Sequence, residues 1–347
     1  MAIFFDAEVT PDALTAFVRE LPTSDDLAFY NAIGTRFLED HEVDFSELVH
    51  TNRTASFRTW DGNFPTIGRD SASSSRMTLM PLGVQSAALG EYERLQLQFA
   101  RTGGTNRAAL ANAIYNDAEN LTAAIYNRLE LAWGDVLTDG ILTIRENGIA
   151  GQAGVADYGV DPSHKVNAAT AWSDPAAKIL DDLIAWTEAY EAEGVGAPGA
   201  IRMKMKTFRL LARNTQLIGL VNGTTGVRAR ITLDEVRDIL NAEGLPPVVI
   251  LPDTSFDVEG VATKVLPDNI VLLTPANLSD LGYTALGVSV SALELVRSTQ
   301  SDMTFQGAAG LVGIVEKVGP PYRQYTFVDA TALPILTQPR KLFIARV

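Results

Sequence analysis

From about Thr105 to Thr138 the apolar residues Leu110, Ile114, Leu121, Ile125, Leu129, Trp133 and Leu137 follow helical spacing. Gly103-Gly104 precede the run, and Gly140 follows it where a C′ glycine closes a helix. At ~1.5 Å per residue the pattern predicts a rod of roughly 50 Å, far longer than the usual globular helix. An apolar stripe of that length must be covered by other elements, and the remaining sequence has to provide them.

Those elements are legible in outline. Thr10-Pro11 before Ala13, Leu14, Phe17 and Val18 reads as an N-capped helix, and Ser24 to Leu38 as a second short one. From Thr54 to Arg76 the pattern changes to an extended hairpin. Thr54 to Trp60 is strand-like, Asp61-Gly62-Asn63 turns, and Arg76 to Met80 is the returning strand after Ser71 to Ser75. Such a hairpin has little apolar content to bury against its own chain and must rest on something else. The strand Ile141 to Arg145 follows the long helix. A further helix is fenced by Ser173 and Pro175 on one side and Gly194 on the other, with Ile179, Leu183, Trp186 and Tyr190 on one face. Thr232 to Glu235 forms a capping box that opens another helix, ending at Gly244. Val248 to Leu251 and Ile270 to Leu273 read as buried strands, giving a compact α/β unit over about 200–300. From Gly310 to Val347 strand patterns return, broken by Gly319-Pro320-Pro321, Pro334 and Pro339.

Composition excludes several function classes. The 347 residues are 46% hydrophobic, enough for a sizeable core in two domains or one with large excursions. There is no cysteine, so disulfides and thiolate metal sites are ruled out. A net charge of −14 argues against tight sequence-independent DNA binding. Met1 to Asp6 carries no basic n-region and no run of 18 apolar residues occurs, so neither a signal peptide nor a membrane span is expected.

Catalytic constellations are missing from the pattern. His41, His50 and His164 lack the spacing of a zinc helix and are expected on the surface or the arm. Gly287-Val288-Ser289-Val290-Ser291 lacks the closing glycine of a nucleophile elbow, and no Gly-x-Gly-x-x-Gly or Walker lysine motif is present. No catalytic, cofactor-binding or metal-ligating residue is therefore expected. Arg202, Lys204, Lys206, Arg209 and Arg213 form a local basic run, read as a solvated face opposite Met203, Met205, Phe208 and Leu211. Its functional alternatives are contact with DNA or with an acidic neighbour. In the polar hairpin, Trp60 and Phe64 have the character of interface anchors, and Arg58, Arg69 and Arg76 are placed to pair with carboxylates on an adjoining subunit.

Three motifs carry a family resemblance. They are Leu266-Pro267-Asp268-Asn269 with the strand Ile270 to Leu273, Leu281-Gly282-Tyr283-Thr284 with Gly287, and Ala332-Leu333-Pro334-Ile335 running to Pro339 and the apolar end at Val347. With the order of elements, they resemble the major capsid proteins of tailed bacteriophages, the lambda gpE-like family of the Hong Kong 97-type fold. The resemblance implies an α+β fold with an N-terminal arm (1–50), an extended loop (51–90), a peripheral domain with spine helix (91–200), an axial α/β domain (201–300) and a return to the peripheral domain (301–347). It also implies a non-enzymatic subunit that assembles in the host cytoplasm, through pentamers and hexamers, into the icosahedral virion shell around double-stranded DNA. Scaffolding, portal and decoration proteins are the further partners so implied. Some members of the fold weld subunits through an isopeptide bond from a loop lysine to an asparagine. Here no lysine precedes Lys165, so no such weld from the loop is expected. An encapsulin-like nanocompartment shell is the alternative within the fold, and an acidic α/β hydrolytic enzyme the alternative outside it.

Overall fold

The computed structural model describes residues 9–46, 74–90, 92, 106–144, 155–222, 228–258, 260–299, 301–321 and 323–347. Helix α1 (Pro11–Glu20) starts as its sequence dictates: Thr10 accepts the amide of Ala13 at 3.3 Å and proline takes the first turn. Its inner side, Leu14 and Val18, is fully buried, so this segment is docked on the body of the molecule. Helix α2 (Ala28–Ile33) is shorter than the expected Ser24 to Leu38. Gly34, at φ 83°, ends it and turns the chain into strand β1 (Thr35–Phe37).

The returning strand of the expected hairpin has a partner that the sequence reading did not give it. Strand β2 (Glu42–Ser46) pairs antiparallel with β3 (Ser74–Thr78), setting Asp44 opposite Arg76. The stretch Thr54 to Trp60 and its turn lie outside the described residues. The buried Leu79 then leads into β4 (Met80–Gln85).

Helix α3 (Asn106–Asp139) is the long rod, 34 residues in one piece. Up to Ile125 it buries Ile114, Ala118, Leu121 and Ile125 at helical spacing, whereas from Leu129 to Gly134 every residue is buried. The helix thus passes from the surface into the centre of the molecule. Gly134 makes that passage possible, because a Cβ there would stand 1.9 Å from the carbonyl oxygen of Val265. Gly140, at φ 77°, closes the helix, and β5 (Ile141–Thr143) pairs with β6 (Val155–Asp157).

Beyond β7 (Lys165–Asn167) come helix α4 (Ile179–Ala192), β8 (Ala200–Lys204), α5 (Met205–Leu211), α6 (Thr215–Asn222), α7 (Leu233–Ala242) and β9 (Val248–Leu251). The capping box of α7 forms as read, with Thr232 and Glu235 each accepting the other's backbone amide. A short hairpin, β10 (Ser255–Val258) and β11 (Val261–Lys264), precedes β12 (Ile270–Thr274) and β13 (Gly282–Gly287). Helix α8 (Val290–Arg297), β14 (Val312–Val318), β15 (Arg323–Leu336) and β16 (Phe343–Arg346) complete the chain.

Among the described residues two five-stranded sheets dominate. In the first, β15 is the central strand: β14 and then β13 share one edge, β4 takes the other, and β1 extends the sheet beyond β13. The second runs β7-β16-β12-β8-β9. Period-two alternation divides it. Ile201, Met203, Val271, Leu273, Phe343 and Ala345 face the layer of α4, α5, α6 and α7, while Ile270, Leu272 and Ile344 join the core around Trp133 and Leu137 of α3. Strand membership cuts across the segments read from sequence. Residues 282–287 pair with 331–336 in the first sheet, and 343–346 pair with 270–273 in the second.

Pro334 does not break a strand, contrary to the sequence reading, but lies inside β15 opposite Thr284. The amide of Thr284 is given to the carbonyl of Gly34, just before β1, and the carbonyl of Pro334 accepts the hydroxyl of Tyr158. The backbone groups of Pro334 therefore point to the edge that β4 leaves at Met80↔Ala332, where a missing N–H costs no ladder bond.

Candidate subunit interface

Of the interface residues proposed from sequence, Arg76 is placed on β3, and Arg58, Trp60, Phe64 and Arg69 lie outside the described residues. The β2–β3 ladder sets Ser46 opposite Ser74, the described residues on either side of 47–73.

The described surface offers its own candidates. Strand β1 stands at the rim of the first sheet with Phe37 63% exposed. Beside it an open groove of about 620 Å³ is lined by Arg19, Tyr30, Asn31, Phe37 and Gln306 among others. Arg19 is fixed there by hydrogen bonds of 2.8 Å to the carbonyls of Leu311 and Gly307, and the guanidinium of Arg36 lies 4.3 Å from the ring centre of Tyr283. Exposed aromatic and arginine side chains on a sheet rim have the composition of protein–protein contacts. Val261, Val290 and Val318 are also exposed.

The basic run is not the uniform solvated face expected. Arg202 and Lys204 are buried in β8, a strand covered on both sides. Arg202 donates to Thr274 Oγ1 and to the carbonyl of Ala276, both at 2.8 Å. Lys204, only 2% exposed, meets Asp253 at 2.5 Å and Asp268 at 3.5 Å. Lys206 and Lys264 each reach Asp268 at 2.7 Å, and Lys264 also reaches Asp253 at 3.2 Å. Lys206, then Lys264, holds the Asp268 carboxyl far below the usual carboxylate range. Lys204, then Lys264, lowers Asp253 in the same way. Both carboxylates stay ionised, so the cluster has no acid to donate and acts as a clamp between β8, β11 and the Leu266–Asn269 motif.

Two buried polar groups were not foreseen. His164, expected on the surface or the arm, is fully buried; its Nδ1 lies 3.1 Å from the carbonyl of Leu342 and its ring stacks on Tyr190. The short Asp161-Pro162 turn that inserts it gave no local sign of burial. Glu130, on the fully buried stretch of α3, accepts the amides of Phe29 at 3.0 Å and Tyr30 at 2.7 Å, anchoring α2 to the long helix. Burial pushes its carboxyl up, and those amides oppose the shift. Among the described residues no group of three or more His, Asp or Glu is placed to hold a metal ion, and no helix is long and apolar enough to cross a membrane.

A family model for phage major capsid protein E matches residues 10–293, more than three quarters of the chain. The chain belongs to that family. Among solved structures, this capsid protein is similar to one described as a prophage capsid protein from E. coli CFT073, with a TM-score of 0.61 at 13% identity over 98% of this chain and 99% of that one. It is also similar to a phage-related protein from Bordetella bronchiseptica RB50 (TM-score 0.49, 14% identity, 98% of each chain) and to the capsid of cyanophage A-1(L) (0.47, 13%, 94% of each). None of the curated proteins matches it in sequence. The fold of this capsid protein is thus the α+β fold of the Hong Kong 97 type, which its motifs led one to expect.

Proposed function

We propose that many copies of this chain close into an icosahedral shell of pentamers and hexamers around a double-stranded DNA genome. The observation that carries the reading is family membership over residues 10–293. A long helix lying along one sheet and penetrating to a second supports it, since both sheets are then tied into one rigid subunit. In this reading the first sheet with α3 is the peripheral unit, and the second sheet with α4 to α7 the axial one. Residues 47–73 extend over a neighbour, with Arg58, Trp60, Phe64, Arg69 and Arg76 as contacts. The subunit works mechanically, without catalysis. Its partners are itself, a scaffolding protein, a portal and a decoration protein; it is assembled in the host cytoplasm and resides in the virion. The family match is to phage capsid proteins, which favours a genome over the cargo enzyme of an encapsulin-like shell.

Electron microscopy and sizing of the protein produced with its scaffold test the reading, with closed shells or capsomers as the expected result. A compact monomer under all such conditions, turning over a small substrate, would sink it. A short linker replacing residues 51–70 should leave the β2–β3 ladder and the fold intact while abolishing assembly. Unfolding of that variant in a thermal melt would mean that the segment belongs to the core.

A further inference from the structure

Charge is segregated along the α4 to α7 layer. From Arg202 to Arg230 the sequence holds seven Lys or Arg and no Asp or Glu, while from Asp174 to Glu193 it holds six Asp or Glu and only Lys178. Four of the seven cations are used internally: Arg202, Lys204 and Lys206 as described, and Arg228 with Glu235 at 2.9 Å. Arg209, Arg213 and Arg230 are exposed, and no carboxylate among the described residues pairs with them. They lie close together in the chain path, since Arg213 stands in the turn that ends α5, its amide on the carbonyl of Leu210, and the amide of Ile231 donates to the carbonyl of Ala212, both at 3.0 Å. The outer face of α6 adjoins them, with Leu220 54% exposed and open space around Gly219.

On α4, Glu188 and Glu191, with Glu193 just after the helix, have no partner among the described residues. Among the described residues no ion pair joins them to the arginines of their own copy. The start of α6 is tied to the start of α4 by Asn214 on the carbonyl of Ala177 at 2.6 Å and by Gln216 on Asp181 at 2.7 Å. Glu188 and Glu191 stand two to three turns further along α4, roughly 10–15 Å away.

We infer that Arg209, Arg213 and Arg230, with the apolar outer face of α6, dock the acidic side of α4 from a second copy of this chain. This rests on the shell-building reading and names one of its contacts. Two separate surfaces of opposite sign make a head-to-tail pairing, the kind that closes rings. Ala185 and Ala192 are exposed among the α4 carboxylates and let a neighbour carrying Leu220 approach closely. DNA fits the patch less well, because three arginines would have to bind a polyanion against a net charge of −14.

A charge swap in the full chain, produced with its scaffold, tests the inference. Arg213→Glu with Arg230→Glu should leave the subunit's melt unchanged and raise the concentration needed for assembly by on the order of tenfold or more, as like charges do across an interface. Adding Glu188→Lys and Glu191→Lys should restore assembly, and Arg→Lys at both arginines should preserve it. Arginine reversal that assembles at the wild-type concentration overturns the inference, as does loss of assembly that the swap does not rescue. Normal shells with less DNA would assign the patch to the genome and equally overturn it. A wild-type chain that never oligomerises would refute the shell reading itself, a result distinct from any of these.

Discussion

Replacing Gly134 by alanine adds a single methyl group at the tightest crossing of the molecule. That methyl would lie 1.9 Å from the carbonyl oxygen of Val265 and 2.8 Å from its carbonyl carbon and Cγ1. An ordinary carbon–oxygen contact is about 3.3 Å, so the Val265 backbone or α3 must retreat by roughly 1.4 Å. The neighbours leave little freedom for that: Val265 donates its amide to Thr254, and Val265 and Leu266 are both buried in the core around Trp133. Overpacking of this kind costs ~1–3 kcal/mol, and more where backbone must move. Alanine's better helix propensity returns at most about 1 kcal/mol. The expected result is a net loss of ~1–2 kcal/mol in the unfolding free energy of the unassembled subunit, read from a lower denaturant midpoint. Gly219→Ala in α6 is the matched control, because its added methyl meets nothing within 4 Å. That substitution should stabilise by a few tenths up to about 1 kcal/mol. If Gly134→Ala proves as stable as the wild type, or shifts in the same direction as the control, the close crossing of α3 with Val265 is wrong.

Glu130→Ala leaves the amides of Phe29 and Tyr30 buried without acceptors and should cost ~2–3 kcal/mol; hydrogen exchange should show those two amides losing protection first, and unchanged protection would refute the anchoring role. Asp268, held low by Lys206 and Lys264, contributes stability that is present above the usual carboxylate value and lost as pH falls through its lowered folded one. Asp268→Asn should therefore flatten the acid limb of a urea-midpoint profile between about pH 5 and pH 2, and an unaltered limb would contradict this. Mature particles boiled in SDS should run as one band near 37.4 kDa, because the loop offers no lysine amine for an isopeptide weld and guanidinium is a poor nucleophile; a ladder with a crosslink mapped to residues 51–80 would refute it.

Elements governed by local rules were legible in the sequence. The long helix, the Thr232 capping box and the strands at 248–251 and 270–274 stand where their spacing and caps put them. What failed were inferences that depend on a second layer. Arg202 and Lys204 alternate with Ile201 and Met203 and so resemble the wet side of a half-buried strand, but β8 is covered on both faces and their partners lie 49 or more residues away in the chain. His164 and Glu130 were missed for the same reason, since each meets its acceptors or donors on segments distant in the chain. Pro334 looked like a breaker because sequence does not reveal where a neighbouring strand stops. The two surfaces of the inferred contact were visible as charge runs, but only the internal pairing of Arg202, Lys204, Lys206 and Arg228 distinguishes cations used within the subunit from those left over.

The position of β16 has a consequence for the order of folding. Residues 343–346 lie between β7 and β12, so the second sheet cannot be completed until β16 has been synthesised. Until then the edges of 165–167 and 270–274 are unpaired, and such long-range pairing is slow and prone to mispairing. A nascent subunit would therefore carry an unfinished sheet until residues 343–346 emerge, and its exposed strand edges delay its joining other subunits.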